Sequence, residues 1–134
     1  MINTTDIKVR GYHLDANGHV NNARYLEFLE EARWAYVEDK MNLDDWARKG
    51  QIFSVVNINI NYRLPAFLND LLHIETEIVK IGKRSSVIHQ IVKKHGSESV
   101  VADADVTFVF IDSQTEKAMM LRGEILRALE ALKS

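Results

Sequence analysis

The chain has 134 residues and a formal net charge of −2, with 17 lysines and arginines against 19 aspartates and glutamates. This length supports one domain with a single core, and the balanced charge argues against a nucleic-acid-binding protein. The absence of cysteine excludes disulfides, thiolate metal sites and cysteine nucleophiles. The N-terminal segment lacks the apolar run of a signal peptide, and no stretch is apolar enough to span a membrane. We therefore expect a soluble, cytoplasmic protein that does not act at a membrane.

The first part of the chain predicts a strand and then a long helix. Residues 5–10 alternate weakly between apolar and polar, which favours a strand, and residues 44–50 predict a short helical turn. Asn21 or Asn22 is a suitable N-cap for a helix over residues 22–40. The helix is predicted from an apolar stripe at helical spacing, formed by Tyr25, Phe28, Leu29, Ala32 and Tyr36.

From Phe53 onward the hydrophobic period changes to two, which is typical of strands. One face of the first of these strands is apolar and contains Val56, Ile58, Ile60 and Tyr62. The opposite face is polar and contains Asn57, Asn59, Asn61 and Arg63. Because asparagine is a poor strand former, this row predicts a polar contact. Pro65 is expected to end or bend the strand.

The remaining chain predicts three long strands, one short strand and a helix. Strands are expected over residues 71–81 and 85–94, joined by a hairpin, and over residues 99–112. A short strand near residues 118–121 and a helix over residues 123–132 complete the prediction. Hairpin links imply antiparallel pairing.

One apolar helix packed against one antiparallel sheet gives an α+β fold with two layers. A single long helix wrapped by five or six antiparallel strands, with a further C-terminal helix, is the hotdog arrangement. We expect one such domain over residues 1–134. A ferredoxin-like or cystatin-like sheet is the structural alternative. Both would leave sheet edges that a second copy of the chain could cover.

The segment DANGHVNN, residues 15–22, concentrates polar chemistry just before the long helix. Asp15 has two interpretations, a cap of a tight turn or a catalytic acid, and Gly18 suits a backbone with positive φ. We expect the backbone N–H groups of Gly18, His19 and Val20 to point outward, reinforced by the helix dipole. Such donors stabilise a developing oxyanion, and Asp15 would act beside them as nucleophile or general base.

This arrangement suits the cleavage of a thioester. The leaving thiol has an ordinary pKa of about 8.5, so it departs without a strong general acid. The sequence contains neither G-x-S-x-G nor H-E-x-x-H, the motifs of serine hydrolases with a nucleophile elbow and of zinc hydrolases. No metal or other cofactor is predicted, and the other histidines are assigned to structure or surface because their spacing is not that of metal ligands; they are His13, His73, His89 and His95.

Three segments together resemble the hotdog thioesterases of the 4-hydroxybenzoyl-CoA thioesterase superfamily. They read VRGYHLDANGHVNNARYLEFLEEARW, VVNININYRLPA and VVADADVTFVFID. Within that superfamily the resemblance is strongest to the bacterial long-chain acyl-CoA thioesterases of fatty acid β-oxidation. It runs over nearly the whole chain.

The resemblance implies roles for the residues at the matching positions. Asp15 matches the catalytic aspartate, and the backbone at Gly18 to Val20 matches the group that polarises the thioester carbonyl. Asn17 and His19 match residues that, in related plant acyl-carrier-protein thioesterases, belong to the catalytic network. Tyr12 matches a tyrosine that closely precedes the aspartate in related bacterial enzymes.

Two positions depart from the pattern of the family. Asn22 stands where some relatives have a histidine, and residues 51–54 hold no acid where the plant enzymes have one. Either His19 replaces the missing group, or Asp15 works with backbone donors alone.

The resemblance also implies a substrate-binding surface and a partner. Family members form homodimers or homotetramers with the active site at the interface between subunits. The predicted contacts to substrate are Asn22, Tyr25, Asn59, Asn61 and Arg63, with Asn57 as a further member of the asparagine row. Cations predicted to meet the phosphates of coenzyme A are Lys83, Arg84 and Arg122. Aromatic groups predicted to line an acyl tunnel, unless they are ordinary core, are Tyr25 and Phe28.

The predicted function is hydrolysis of medium- to long-chain fatty acyl-CoA to the free acid and coenzyme A (an EC 3.1.2.- hydrolase). Three alternatives are left open: an acyl-carrier-protein thioesterase, an acyl-thioester dehydratase on the same fold, and a noncatalytic acyl-CoA-binding module. The spacing of Asp15 and His19 argues against the dehydratase.

Overall fold

A computed structural model describes all residues 1–134 as five strands, three α-helices and one turn of 3₁₀-helix at Gly11–His13. In chain order the elements are β1 (Asn3–Lys8), α1 (Asn22–Val37), α2 (Leu43–Arg48), β2 (Gln51–Tyr62), β3 (Leu71–Ile81), β4 (Ser85–Lys94), β5 (Val100–Asp112) and α3 (Gly123–Lys133).

The strands form one antiparallel sheet in the order β1-β3-β4-β5-β2. Strands β3, β4 and β5 are joined by short turns, so neighbours in the chain are neighbours in the sheet. Strand β2 pairs only with β5 and therefore forms one edge of the sheet. The edge is long, because β2 has 12 residues.

The buried stripe of α1 packs on the inner face of the sheet and divides the core into two clusters. The first half of α1 contributes Tyr25 and Leu29 to one cluster, together with Leu72 and Ala104. The second half contributes Tyr36 to the other, which also holds residues of α2 and α3. Burial of these apolar side chains supplies the main stabilisation of the fold, at about 25 cal/mol per Å². None of the helices has the length and hydropathy that crossing a bilayer requires.

The predicted five- or six-stranded sheet has five strands. Residues 118–121, predicted as a short strand, make a single bridge between Ala118 and Ile111. Pairing between β4 and β5 begins at Ser85 and Val109, so β5 continues past the start of β4. The segment that follows β5 turns back and covers this unpaired end of β5. It then continues to the β3–β4 hairpin, where the N–H of Leu121 donates to the carbonyl of Lys83 at 2.7 Å.

Two element boundaries and the face of one residue show how the structure differs from the prediction. β1 covers Asn3–Lys8 rather than residues 5–10, because the N–H of Val9 already donates to the carbonyl of Asp70 outside the strand ladder. Helix α1 ends at Val37, three residues earlier than predicted. Val56 is 56% exposed instead of sharing the inner face with Ile58, because a β-bulge lies between Val55 and Asn57.

Candidate active site

Asp15 occupies a tight turn that its own carboxylate stabilises. Its Oδ1 accepts hydrogen bonds from the backbone N–H groups of Asn17 at 2.9 Å and His19 at 3.2 Å. The backbone N–H of Asp15 donates to the carbonyl of His19 at 2.8 Å. The second carboxylate oxygen, Oδ2, has no donor within the chain. Asp15 is therefore both a turn cap and an acid with one oxygen available.

The turn requires the glycine at its tip. Gly18 has φ +77°, a left-handed conformation that glycine adopts without strain. No atom lies within 4 Å of the position where a Cβ would stand, so backbone conformation rather than space demands glycine. The predicted positive φ at Gly18 is confirmed.

The prediction that the N–H groups of Gly18, His19 and Val20 are free to bind an oxyanion is wrong in this structure. Gly18 N–H donates to the carbonyl of Asp15 at 3.1 Å, and His19 N–H donates to the carboxylate of Asp15. Val20 N–H donates to the carbonyl of Ala66 at 2.9 Å. The turn is too tight for these groups to remain outside its own hydrogen bonds, which a linear motif does not reveal.

A free donor lies instead at the first residue of α1. Asn21 is the N-cap, and its side chain accepts from the N–H of Ala23 at 2.8 Å. Arg24 N–H donates to the carbonyl of Asn21 at 2.9 Å. The N–H of Asn22 makes no hydrogen bond within the chain, as expected at the start of a helix. It also carries the positive end of the helix dipole.

Asp15 and Asn22 line the same cleft, of about 220 Å³, which we call the site cleft. It lies where the turn, the start of α1 and the end of β2 meet. Its complete lining is Asp15, His19, Val20, Asn22, Tyr25, Tyr62, Arg63, Leu64 and Pro65. A carboxylate and a free N–H donor in one cleft are the two groups that thioester hydrolysis needs.

Two tyrosines form one wall of the site cleft. The rings of Tyr25 and Tyr62 meet edge to face at 5.6 Å, and the Tyr62 hydroxyl donates to the carbonyl of Asn22 at 3.0 Å. Burial, with smaller effects of Asp70 and Tyr62, raises the pKa of Tyr25 to about 12. The Tyr25 hydroxyl therefore stays protonated at neutral pH and can donate a hydrogen bond to a ligand.

His19 is half-buried between the turn and the segment after β2. Its ring packs edge to face on Phe67 at 5.1 Å between centroids. Because the ring lines the site cleft beside Asp15, it is placed to contact a bound molecule. Packing on Phe67 holds the ring in position without a polar partner.

Several predicted site residues lie elsewhere. Tyr12 is 71% exposed and lines a neighbouring open groove with Arg10 and Arg24 rather than the site cleft. Asn17 supports the turn through its backbone but does not line the cleft. Contacts of Tyr12 and Asn17 with substrate stay predictions.

The asparagine row also lies outside the site cleft of its own chain. Asn59 and Asn61 are exposed on the outer face of the sheet, where the Asn61 side chain donates to Asp103 at 3.1 Å. Arg63 also pairs with Asp103 but lines the cleft. A contribution of Asn59 and Asn61 to the cleft of a second subunit stays a prediction.

Sequence reasoning missed three members of the cleft. Tyr62 is predicted among the apolar positions of β2, Pro65 is predicted to end or bend that strand, and Leu64 has no predicted role. Val101 accepts from the N–H groups of Arg63 and Leu64, which turns the chain towards α1. The proline was the available signal, since it marks a bend directly after a strand.

The other histidines have structural or surface environments. His13 is buried, and its Nδ1 accepts from the N–H of Arg10 at 2.8 Å. Burial, followed by the charge of Arg24, lowers the pKa of His13. His73 and His89 each contact a carboxylate at 2.8 Å, Asp6 and Asp105 respectively.

Comparison with known proteins gives the family. Residues 9–129 match the thioesterase-like superfamily. The chain belongs to this superfamily. It is 50% identical over 128 residues to the long-chain acyl-CoA thioesterase FadM of Escherichia coli, which covers 96% of this chain and 97% of FadM. It is 30% identical to the acyl-CoA thioesterase YbgC of Haemophilus influenzae, over 93% of each chain.

The fold also matches a solved thioesterase. The crystal structure of YbaW, a probable thioesterase from Escherichia coli, superposes with a TM-score of 0.89 at 49% identity and covers 98% of each chain. The predicted hotdog fold, the predicted family and the predicted class of enzyme, a thioester hydrolase, are confirmed. The individual site residues rest on the geometry described above.

Proposed function

We propose that this protein hydrolyses fatty acyl-CoA thioesters, with Asp15 as the catalytic carboxylate and the N–H of Asn22 as the donor to the thioester carbonyl. The observation that carries the proposal is their shared cleft: Asp15 has a free Oδ2, and Asn22 has a free N–H at the start of α1. The similarity to long-chain and other acyl-CoA thioesterases supports the substrate class.

The reaction consumes one water and releases one thiol. The carbonyl oxygen of the thioester accepts from Asn22 N–H, which stabilises the negative charge that develops on it. Asp15 either removes a proton from the attacking water or attacks the carbonyl carbon itself, forming an anhydride that water then hydrolyses. In either route the carbon–sulfur bond breaks and the sulfur leaves as a thiolate; the attacking water supplies the oxygen of the free acid, and the proton that this water gives up neutralises the thiolate.

The cations predicted to meet the phosphates of coenzyme A lie far from the site cleft of the same chain, because their hairpin meets β5 near Val109 whereas Tyr62 of the cleft meets β5 at Ala102. Lys83 and Arg84 lie in the β3–β4 hairpin, and Arg122 lies beside it because Leu121 bonds to Lys83. All three are exposed, and none takes part in an ion pair of the chain. Arginine and lysine are the residues that proteins use to bind phosphates, and contacts of these three with coenzyme A stay a prediction. The medium- to long-chain preference and the cytoplasmic location stay predictions.

A homodimer or homotetramer is part of the proposal. The free edge of β2 exposes Ile52, Val55, Val56 and Tyr62, and an exposed apolar edge of this length favours pairing with another strand. We expect Val56→Lys to shift the protein towards monomer in sedimentation equilibrium. Val79→Lys, a similar change at an exposed valine on β3, is the matched control.

The test of the reaction is thiol release from a series of acyl-CoA thioesters, short to long, with wild type and Asp15→Asn side by side. We expect chain-length-dependent release by wild type and a loss of about 1,000-fold in kcat in the variant. Folding should be retained, since the amide oxygen of asparagine can still accept from the turn.

Asp112 offers a matched control, because its Oδ1 also accepts two backbone N–H groups in a turn, from Gln114 and Thr115. Asp112→Asn should leave kcat unchanged. Turnover of Asp15→Asn close to that of wild type would contradict the assignment of Asp15. Absence of release from every acyl-CoA would contradict the proposed substrate class.

A further inference from the structure

A second cavity, separate from the site cleft, lies further along the seam between α1 and β2. We call it the inner cavity; its volume is about 190 Å³, and it is lined by Glu30, Arg33, Trp34, Val37, Leu43, Phe53, Val55 and Ile88. Most of the lining is apolar. The cavity is half-open to the surface of the single chain, since Trp34 and Val55 in its lining are 50% and 37% exposed.

The inner cavity and the site cleft share no lining residue, but both lie along the same two elements, α1 and β2. Along α1 the lining passes from Asn22 and Tyr25 in the site cleft to Arg33 in the inner cavity. Along β2 it passes in the opposite sense, from Tyr62 to Val55. A chain held by its thioester at the start of α1 would reach the inner cavity by following this seam past Ile60 and Ile58, which are partly buried between the two linings.

Arg33 gives the inner cavity an unusual chemical character. It is only 8% exposed, yet it takes part in none of the ion pairs of the chain. Its one hydrogen bond runs from Nη1 to Oε1 of Gln90 at 3.2 Å. Gln90 is held in turn by bonds to the carbonyl of Leu29 at 3.0 Å and to Thr76 at 3.1 Å.

A guanidinium carries five N–H donors, and only one of those of Arg33 has an acceptor. A buried cation with free donors is costly unless a ligand or water supplies acceptors. Glu30, at the same cavity, has a carboxylate that accepts from Trp34 Nε1 at 3.2 Å and lies outside ion-pair distance of Arg33. That negative charge disfavours a second anion and favours a neutral oxygen.

From these observations we infer that the inner cavity binds the far end of an acyl chain that carries a neutral oxygen, a hydroxyl or carbonyl group, which accepts hydrogen bonds from Arg33. The inference rests on the proposed acyl-CoA hydrolysis and specifies its substrate class. Arg33 is thereby assigned as the specificity-determining residue, and the apolar walls contact the methylenes.

The geometry sets the chain length. Eleven residues separate Asn22 from Arg33, or about 17 Å along the helix axis. Helical side chains lean back towards the N-terminus, and Gln90 joins the guanidinium to Leu29 one turn earlier, so the distance to the guanidinium falls to about 11–17 Å. An extended chain advances about 1.2 Å per bond, which corresponds to roughly 9–14 bonds.

The test compares acyl-CoA thioesters of about 10, 12 and 14 carbons that end in a methyl, a hydroxyl or a carboxylate group. We expect wild type to show kcat/KM roughly 10- to 100-fold higher for the hydroxyl end than for the methyl end at the length that reaches Arg33. The carboxylate end should fall below the hydroxyl end. In Arg33→Met the preference should reverse in favour of the methyl end, while Arg127→Met, at an exposed arginine of α3, should behave as wild type.

If Arg33→Met does not fold, Arg33→Lys takes its place, because it keeps the positive charge. This variant should retain part of the preference for the hydroxyl end. Calorimetric binding of the same compounds to Asp15→Asn supplies a readout that does not need turnover. Hydrolysis of all chains without a preference would overturn the inference and leave the proposed function intact. If no compound is hydrolysed but the hydroxyl end is still bound more tightly, the proposed function is contradicted and the inference about Arg33 is kept.

Two further results would also overturn the inference. One is a carboxylate end that is preferred over the hydroxyl end. The other is a wild-type protein that shows no preference among the chain ends, together with a dimer that dissociates in Arg33→Met. The acceptor for Arg33 would then be a group of a second subunit.

Discussion

The site cleft and the inner cavity lie along one seam between α1 and β2, but they are built differently. In the site cleft the polar groups come from one short segment, and the turn around Asp15 supplies most of its own hydrogen bonds. In the inner cavity one buried cation depends on partners from distant strands, Gln90 on β4 and Thr76 on β3. A local motif can therefore carry reaction chemistry, whereas specificity here depends on long-range packing.

This difference has consequences for mutation. A change in the site cleft should reduce turnover and leave the free energy of unfolding nearly unchanged, because the turn is exposed and largely self-contained. A change around Arg33 should alter stability and substrate choice together, because the same groups support the core. The four predictions below test that separation, from the largest expected effect to the smallest.

The first prediction removes the proposed oxyanion donor alone. Asn22→Pro deletes the N–H at the first helical residue, where proline is well tolerated, and the extended backbone of Asn21 (φ −62°, ψ 137°) suits a residue before proline. We expect kcat to fall about 100- to 1,000-fold with helicity retained by circular dichroism. Asn22→Ala, which keeps the backbone N–H, should lower kcat far less. Equal turnover in the two variants would show that a group other than the N–H of Asn22 donates to the thioester carbonyl.

The second prediction concerns the support of Arg33. Gln90→Leu removes the acceptor for Arg33 and the donor to Thr76 within the core. We expect a loss of about 2–4 kcal/mol in the free energy of unfolding, measured by urea titration. Gln114→Leu, at an exposed turn position, is the control. If the two variants are equally stable, the hydrogen bond from Arg33 to Gln90 does not contribute to stability and other groups accept from Arg33.

The third prediction ranks His19 below Asp15. The ring of His19 lines the site cleft, but its backbone N–H, which holds the carboxylate of Asp15, is unaffected by a change of side chain. We therefore expect His19→Ala to lower kcat about tenfold, a change of about 1.4 kcal/mol. A loss as large as that of Asp15→Ala would make the imidazole a primary catalytic group. His95→Ala, at an exposed histidine, serves as the reference.

The fourth prediction is a small dependence of stability on pH. Burial holds the pKa of His13 in the folded protein below its ordinary value of 6.5, so the unfolded chain takes up a proton first as the pH falls. This contribution to stability is present above about pH 6.5 and is lost progressively below it.

The fourth measurement follows the free energy of unfolding from about pH 7.5 to about pH 5.5, roughly one pH unit on each side of the ordinary imidazole pKa. In His13→Asn, whose amide oxygen can still accept from Arg10, the slope should be smaller by up to one proton. His95→Asn should leave the slope unchanged. A slope in His13→Asn equal to that of wild type would assign the dependence to other groups.

Much of the fold could be predicted from hydrophobic period. Strands over residues 71–81 and 85–94 match β3 and β4 because their alternation is strict and a short turn separates them. Prediction was wrong where pairing overrides local pattern: Val56 leaves the inner face at a bulge, and residues 118–121 make only one bridge. Both depend on the neighbouring strand, which a window of sequence does not include.

In the candidate site, the position of Asp15 and the glycine turn followed from the motif, and the free donor did not. Each N–H group predicted to be free proved to be bound, one of them by Ala66, which lies far along the chain. The donor at Asn22 follows only once the start of α1 is known. Tyr62, Leu64 and Pro65 joined the cleft because hydrogen bonds to Val101 bend the chain back towards α1.

The sequence by itself determined the two-layer α+β fold, the family and the carboxylate at the head of α1, because hydrophobic period, turn residues and a short motif are local properties. Only the tertiary structure decided which backbone donors are free, which residues close the site cleft, and that Arg33 is buried beside an apolar cavity with its donors unfilled. Those properties depend on contacts between segments far apart in the chain, and such contacts exist only once helix and sheet have packed.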